Sequence, residues 1–510
     1  LNKSLVGFAV LSLSLILLGM NRGFDISDEG LYALLAVPDQ ENLAGIFNYD
    51  LFFKLFYKIT GIEFGLIGLR FLRLLTCIVG AGALMVFWDN FTQKSAQRTS
   101  IFLISLLGIF ASYGFLSQTL SYNSINLMCG CIWLGLISSR QLGSRTILLL
   151  GVTLSLFFYS KITVCLIISV LTVGFILWKQ DWKAGAKKLV LLCLPFLVFE
   201  SIFTFSLEES GISRAFAAQE MLNYRPDYHF WVLVKYTCVG VFWSLVVSTP
   251  FVFAGYLKSK SNTNYRFVIV VGCIGLLAIT YLTTITNEVN HFFLLGTVSI
   301  LGFLLGGVKS SELNRNQLVF LILLIVFPFI LHFGSNVYFL RLGIHYWVFW
   351  ILATLFMLRY IQEEFIKPMR VSVGIVTIVL VVNGIWIHPF EQEPLWKATQ
   401  RWDYGDGNEI LLSEKQVVLL SAIKPLVQGQ KQLLAFYRIP GIPYLLDKTS
   451  PKSPGYWSKS QTEYFFSSDF HTDLFIFYAL DPLPSFVKGD FSKKHIQLPH
   501  GKKIQVLWRK

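Results

Sequence analysis

Charge is scarce in this chain: Asp, Glu, Lys and Arg together make up 14% of its 510 residues, where a soluble domain carries roughly a quarter. With 54% hydrophobic residues and a mean hydropathy of +0.59, this excludes an ordinary soluble globular protein. A disulfide framework is missing too. Cys77, Cys129, Cys131, Cys165, Cys193, Cys238 and Cys273 all fall within or at the ends of apolar stretches, and residues 389–510 contain no cysteine, so neither a disulfide scaffold nor a cysteine metal site is expected. Residues 389–510 have no Walker loop, Gly-rich dinucleotide fingerprint or metal-type histidine spacing. It also lacks the inverted repeat and matched broken segments of many transporters. The net charge of +13 would suggest nucleic acid in a soluble protein. Here Lys and Arg gathered in cytoplasmic loops account for it, and nucleic acid is discounted.

What the chain has is a series of apolar stretches near the roughly 20 residues needed to cross a bilayer. They run over 4–20, 64–88, 101–117, 121–138, 146–159, 162–178, 189–206, 231–256, 266–284, 292–308, 316–333, 343–358 and 371–388. They predict an α-helical polytopic membrane protein with about thirteen transmembrane helices, in residues 1–388, followed by a small C-terminal extracytoplasmic α/β domain in residues 389–510. No small-x-small cleavage pattern follows the first stretch, which therefore reads as an uncleaved span. Short connections leave a re-entrant pair open for the fourth to sixth. Loop charge alternates as a membrane topology requires. One set carries Lys94, Arg98, Arg140, Arg145, Lys183, Lys187, Lys258, Lys260, Lys309, Arg315, Arg359 and Arg370; the other carries Asp25, Asp28, Glu29, Asp39, Asp50, Glu208, Glu209, Glu220 and Glu288. This predicts a cytoplasmic N-terminus and a tail on the opposite face.

The loop 21–64 is long for a connection, and its Ser27-Asp28-Glu29-Gly30-Leu31-Tyr32-Ala33 run places two acids just past an apolar span. A carboxylate there can serve as general base on a bound hydroxyl. It can equally mark a helix start, with Ser27 capping free amides and the acids suiting the helix dipole. Later in the loop, Asn48 to Lys58 mixes aromatics with two lysines in the manner of a helix lying in the interface. Arg70 and Arg73 sit three apart, on one helix face, near the same side. Lys161, His291 and Arg341 fall in later loops of that face. Each alone suits a helix-end anchor, and together they could supply the cations a phosphate needs.

The tail reads as mixed α/β, with a helix over Glu414 to Val427 and strands over Gln432 to Tyr437, Leu474 to Tyr478 and Lys503 to Trp508. Asp447 to Lys459 reads as a loop. Trp402-Asp403-Tyr404-Gly405-Asp406 suggests a sugar platform or, more simply, a turn.

These features resemble the polytopic GT-C glycosyltransferases that use polyprenyl-phosphate sugars, in particular the bacterial branch near the protein O-mannosyltransferases and the lipid A aminoarabinose transferases. Asp28-Glu29-Gly30-Leu31-Tyr32-Ala33 looks like their first-loop motif. Leu69-Arg70-Phe71-Leu72-Arg73 and Ser121-Tyr122-Asn123-Ser124 extend the likeness, as does the terminal outside domain. The resemblance implies an inverting glycosyl transfer from a polyprenyl-phosphate donor to a hydroxyl on a glycan, lipid or protein, at the outer face of a bacterial inner membrane. It casts Asp28, with Glu29 beside it, as the catalytic carboxylate. By position, it suggests Lys161 and Arg341 for the lipid phosphate, with His291, Arg70, Arg73, Tyr122 and Asn123 as further substrate contacts. No cofactor is firmly implied, although a divalent cation is compatible with the family. Many members carry a second acid in the next outer loop, and Ser117-Gln118-Thr119-Leu120-Ser121 has none; Glu208 or Glu220 could replace it in space. The competing class is a transporter or flippase of lipid-linked glycans, which would need polar groups along a path across the membrane.

Overall fold

A computed structural model describes residues 3–508 except 44, 46, 94–96, 180–181, 309–312, 362, 406, 467–473, 479–480, 488–490 and 498–502. Lys94, Lys309 and Asp406, named above, lie outside the described residues.

Each apolar stretch is a helix. Among the described residues, nine helical segments are long and apolar enough to cross a membrane: Leu66–Thr92, Ile162–Lys179, Lys183–Leu207, Phe230–Ser259, Tyr265–Thr283, Asn290–Gly307, Arg315–His332, Phe339–Ile361 and Glu363–Ile387. Four more apolar helices, Lys3–Gly19, Arg98–Gly114, Tyr122–Ile137 and Ser144–Ser160, are shorter. Length and composition therefore support nine crossings where about thirteen were expected. The shorter four fall just below the roughly 20 residues of a spanning helix. Phe339–Ile361 is almost wholly buried and forms the middle of the bundle, whereas Tyr265–Thr283 turns nearly its whole surface outward. An all-round apolar surface of that kind suits lipid.

The elements that matter for the site are α1 (Lys3–Gly19), α2 (Asp28–Leu35), α3 (Asp50–Thr60), α4 (Leu66–Thr92), α6 (Tyr122–Ile137), α7 (Ser144–Ser160), α8 (Ile162–Lys179), α10 (Gly211–Leu222), α11 (Phe230–Ser259) and α14 (Arg315–His332). The expected interfacial helix exists as α3, but its lysines do not anchor it to lipid. Lys54 is buried against Asp50 and Glu209, and Lys58 donates to the Ser206 carbonyl. Arg214 on α10 grips both Asp50 oxygens at 2.8 Å and also pairs with Glu209. This ties the first loop to the segment 208–229.

The tail is mixed α/β. Strands β1 (Ala398–Asp403) and β2 (Glu409–Ser413) form an antiparallel hairpin in which Trp402 and Asp403 end β1 and Tyr404 and Gly405 enter the turn. Trp402 is buried and donates from its indole to Leu445 O at 2.6 Å. A second sheet has the order β3 (Leu434–Ala435), β4 (Leu474–Tyr478), β6 (Lys503–Trp508), β5 (Ser492–Gln497), with β3 and β4 parallel and the others antiparallel. Helix α18 (Glu414–Ile423) starts in a Ser413/Gln416 capping box. The expected strand over 432–437 shrinks to two residues, and the expected loop 447–459 is followed by a short helix, Lys459–Phe465.

The tail and the first loop share one apolar core. Phe24, Ile26, Ala33 and Leu34 pack with Ile410, Leu419, Leu420, Ile442 and Leu445. Backbone bonds Gly23 N to Leu411 O (2.8 Å), Leu411 N to Asn21 O (3.0 Å) and Gly441 N to Ile26 O (2.7 Å) stitch them together. The tail therefore sits on the loop that carries the acid pair.

Candidate functional site

The acid pair starts α2, but Ser27 does not cap it: its side chain makes no capping bond. Asp25 takes that role. Its buried carboxylate accepts from the amides of Ser27 (2.8 Å), Asp28 (2.9 Å) and Glu29 (3.1 Å), occupying the free donors at the helix start.

Adjacent residues on a helix point about 100° apart, and here that angle separates two roles. Glu29 turns inward and is fully buried. It accepts two bonds from Arg70 at 3.0 Å each, one from the Asp25 amide at 3.1 Å and one from the Thr119 hydroxyl. Arg70 spends its remaining donors on the carbonyls of Met20, Arg22 and Gly23. Glu29 and Arg70 thus satisfy each other, and neither lines the cavities described below. Arg73 is likewise buried: it donates to the Ser117 carbonyl and, at 3.0 Å, to Ser112 O, and lies 3.9 Å from the Tyr113 ring centroid. None of its partners is a cavity wall.

Asp28 turns the other way, into a cavity of about 330 Å³ whose walls include Arg225, Asp227, Glu391, Arg438 and Tyr478. Burial, and then the neighbouring Glu391, push its carboxyl up to about 6, against the pull of Arg438 and Arg225. Arg225 is itself buried, stacked 4.3 Å from the Tyr228 ring centroid and 5.5 Å from that of Trp457. Among the described residues it has no ion-pair partner within bonding distance. A buried guanidinium held by aromatic faces beside a half-buried carboxylate is a ready anion site.

Two further cavities adjoin this one. A chamber of about 330 Å³ shares Phe47, Tyr122 and Tyr228 with it and is otherwise lined largely by apolar groups such as Ile162, Ala218, Leu222 and Leu233, with Lys161 at its wall. A chamber of about 820 Å³ shares Leu116, Phe390 and Glu391 and holds Arg341. Tyr122, stacked on Phe47 with centroids 4.4 Å apart, separates the first two. Asp28 therefore stands between an apolar chamber and one whose walls mix apolar with charged and amide side chains.

The expected phosphate contacts do not converge. Lys161 donates to Leu331 O (3.0 Å), His332 O (3.0 Å) and Ser335 Oγ (2.9 Å), closing the end of α14 with all three of its protons. Arg341 forks onto Glu288, with Nε 3.1 Å from both carboxylate oxygens. His291 is buried with Nδ1 3.1 Å from the Thr283 hydroxyl, and neither it nor the fully buried Asn123 lines these cavities. Glu208 and Glu220 are both exposed and away from the Asp28 chamber; Asp227 and Glu391 are the acids that join it. Among the described residues no three His, Cys, Asp or Glu side chains converge to hold a metal ion.

Arg225 and Arg438 escaped sequence reasoning, though each had a local mark. Arg225 lies in Tyr224-Arg225-Pro226-Asp227-Tyr228, and Arg438 in Tyr437-Arg438-Ile439-Pro440-Gly441, aromatic and turn-rich settings that hold a guanidinium on a loop. The fold and these chambers define a helical membrane protein with an α/β cap over a charged cavity. Compared with family models, curated proteins and solved structures, the chain finds no match. Its function is therefore read from its own geometry.

Proposed function

We propose that this protein is a glycosyltransferase that moves a sugar from a polyprenyl-phosphate donor to a hydroxyl acceptor, working at the outer face of a bacterial inner membrane. The observation that carries the reading is the position of Asp28, in one chamber with the buried Arg225 and with Arg438, between an apolar cavity and one of mixed walls. The acceptor hydroxyl gives its proton to the Asp28 carboxylate as its oxygen bonds to the anomeric carbon. The bond from that carbon to the phosphate oxygen breaks, and its electron pair leaves with the phosphate, whose charge Arg225 and Arg438 offset. The polyprenyl chain lies toward the apolar chamber past Tyr122. Inversion follows from attack on the face opposite the leaving phosphate.

The test is to incubate detergent-purified protein with a polyprenyl-phosphate sugar and a membrane extract and to measure released polyprenyl phosphate. Asp28→Asn should lower the rate by on the order of 10² to 10⁴. Arg225→Gln should weaken donor binding by roughly 2 to 5 kcal/mol. Donor binding with no release in the wild type would instead favour a flippase of lipid-linked glycans, and full activity in Asp28→Asn would refute the base assignment.

A further inference from the structure

The larger chamber beyond Asp28 has a construction of its own. Its volume, about 820 Å³, lies in the range of small-molecule sites, about 300 to 1,000 Å³. Planar hydrogen-bonding side chains line it: Asn287, Asn383, Gln392, Glu288 with Arg341, and Glu393. Its acids are Glu288, Glu393 and Glu391, the last shared with the Asp28 chamber. Arg341 forks onto Glu288, and Glu393 pairs with both Lys397 and Lys415 at 3.3 Å. At the mouth, Trp396 is 52% exposed on a single turn, Leu395–Lys397, that is pinned by the fully buried Leu395. An indole face held outward beside planar polar groups suits a sugar ring, whose C–H face packs on the aromatic while its hydroxyls bond the amides and carboxylates.

The other acceptor classes fit less well. No residue of this chamber lies in a β-strand, so there is no sheet edge for a peptide to extend. Its apolar side chains, among them Phe115, Leu116, Ile387 and Phe390, lie among charged and amide groups that an acyl chain would desolvate, unlike the wall on the Lys161 side.

We propose that this chamber is the acceptor subsite, that it takes a neutral saccharide, and that Trp396 is its stacking platform. The proposal rests on the glycosyl-transfer reading and names the acceptor class within it. The experiment uses saturation-transfer NMR on the full-length protein in detergent, with chitotriose and mannotriose as probes. A lysolipid and a tetrapeptide serve as alternative ligands. The saccharides should give signal with the wild type, about five- to tenfold less with Trp396→Ala, and most of it with Trp396→Phe. Because the indole is half exposed, these variants should keep the wild-type melting temperature. Binding of a fluorescent polyprenyl phosphate, followed in the same samples, separates the two claims: its absence from the wild type counts against the donor reading alone. Failure of both saccharides to bind the wild type, signal unaffected by Trp396→Ala, or a Trp396-dependent signal from the lysolipid or peptide in their place would overturn the saccharide subsite.

Discussion

The Glu29 carboxylate and the Arg70 guanidinium meet in a two-bond fork, 3.0 Å on each side, at a place where both side chains are almost completely buried. Through Arg70 the pair also fixes the carbonyls of residues 20, 22 and 23, so the exit of α1 and the start of α2 are set by one ion pair. Its neighbour Asp28 is left to face the cavity.

Two adjacent acids should therefore give opposite phenotypes. Glu29→Gln leaves a buried guanidinium short of its counter-charge, which costs about 3 to 5 kcal/mol. It should lower the thermal midpoint in detergent sharply, and Arg70→Lys should do the same because one ammonium cannot replace five directed donors. Asp28→Asn should leave the midpoint unchanged or slightly higher near pH 8, since it removes a carboxylate whose charge is unfavourable there, while lowering turnover by on the order of 10² to 10⁴. A stable, active Glu29→Gln protein would contradict this division.

The pH profile is the second expectation. Asp28 must be ionised to accept a proton, and burial with Glu391 raises its carboxyl to about 6. Turnover should thus rise with pH through about 6, a limb well above an ordinary aspartate's. Because Glu391 raises the value and Arg438 lowers it, Glu391→Gln should move the limb to lower pH and Arg438→Gln to higher pH. In stability the sign reverses: a group whose folded value is raised from 3.8 to about 6 takes up its proton more readily when folded. Its contribution to stability should therefore fall as pH rises through that window. Limbs that move the wrong way in these two variants would remove Asp28 as the titrating base.

Much of the helical half was legible because apolar runs of spanning length have few other solutions. The acid pair was legible as a feature, but not in its division of labour. Asp28 and Glu29 are alike in sequence, and which one faces the cavity depends on Asp25 capping α2 and on Arg70 waiting on α4. Arg70 and Arg73 were correctly placed on one helix face, yet a helix face says nothing about whether carbonyls lie opposite it. Lys161 and Arg341 were chosen by topological side, which carries no information on whether helix-end carbonyls or Glu288 already hold them. Arg225 and Arg438 reach Asp28 from loops some two hundred and four hundred residues downstream, a convergence that only the folded cap creates.

Lys161 gives the third expectation, and it differs from what its position alone implied. As a phosphate contact, Lys161→Gln would weaken donor binding with little change in stability. With all three protons on Leu331, His332 and Ser335 at the end of α14, the same change strips partners from buried carbonyls. It should lower stability by about 1 to 3 kcal/mol. Donor affinity, measured on the fraction that stays folded, should fall far less than in Arg225→Gln. An equal loss of affinity in the two variants, with an unchanged melting temperature for Lys161→Gln, would return Lys161 to the phosphate site.

The fourth expectation concerns how the cap is seated on the acid pair. Gly30 follows Glu29 directly, and a Cβ there would run into the backbone of Gly441; a Cβ on Gly441 would meet Ile26 and the Phe24 ring at 2.6 Å. The two chains approach this closely because neither residue has a side chain, and the Gly441 amide uses the closeness to reach Ile26 O at 2.7 Å. Gly30→Ala and Gly441→Ala should each push the cap off α2, at a cost of 1 to 3 kcal/mol or more, since backbone yields less readily than a side chain (about the range for overpacking). Arg438 lies three residues before Gly441, so the displacement should carry its guanidinium away from Asp28. The acidic limb of the pH profile should then shift upward, as in Arg438→Gln, together with new protease cleavage between residues 389 and 441. If either alanine variant kept wild-type turnover, pH profile and protease resistance, the cap would not be what positions Arg438 against Asp28.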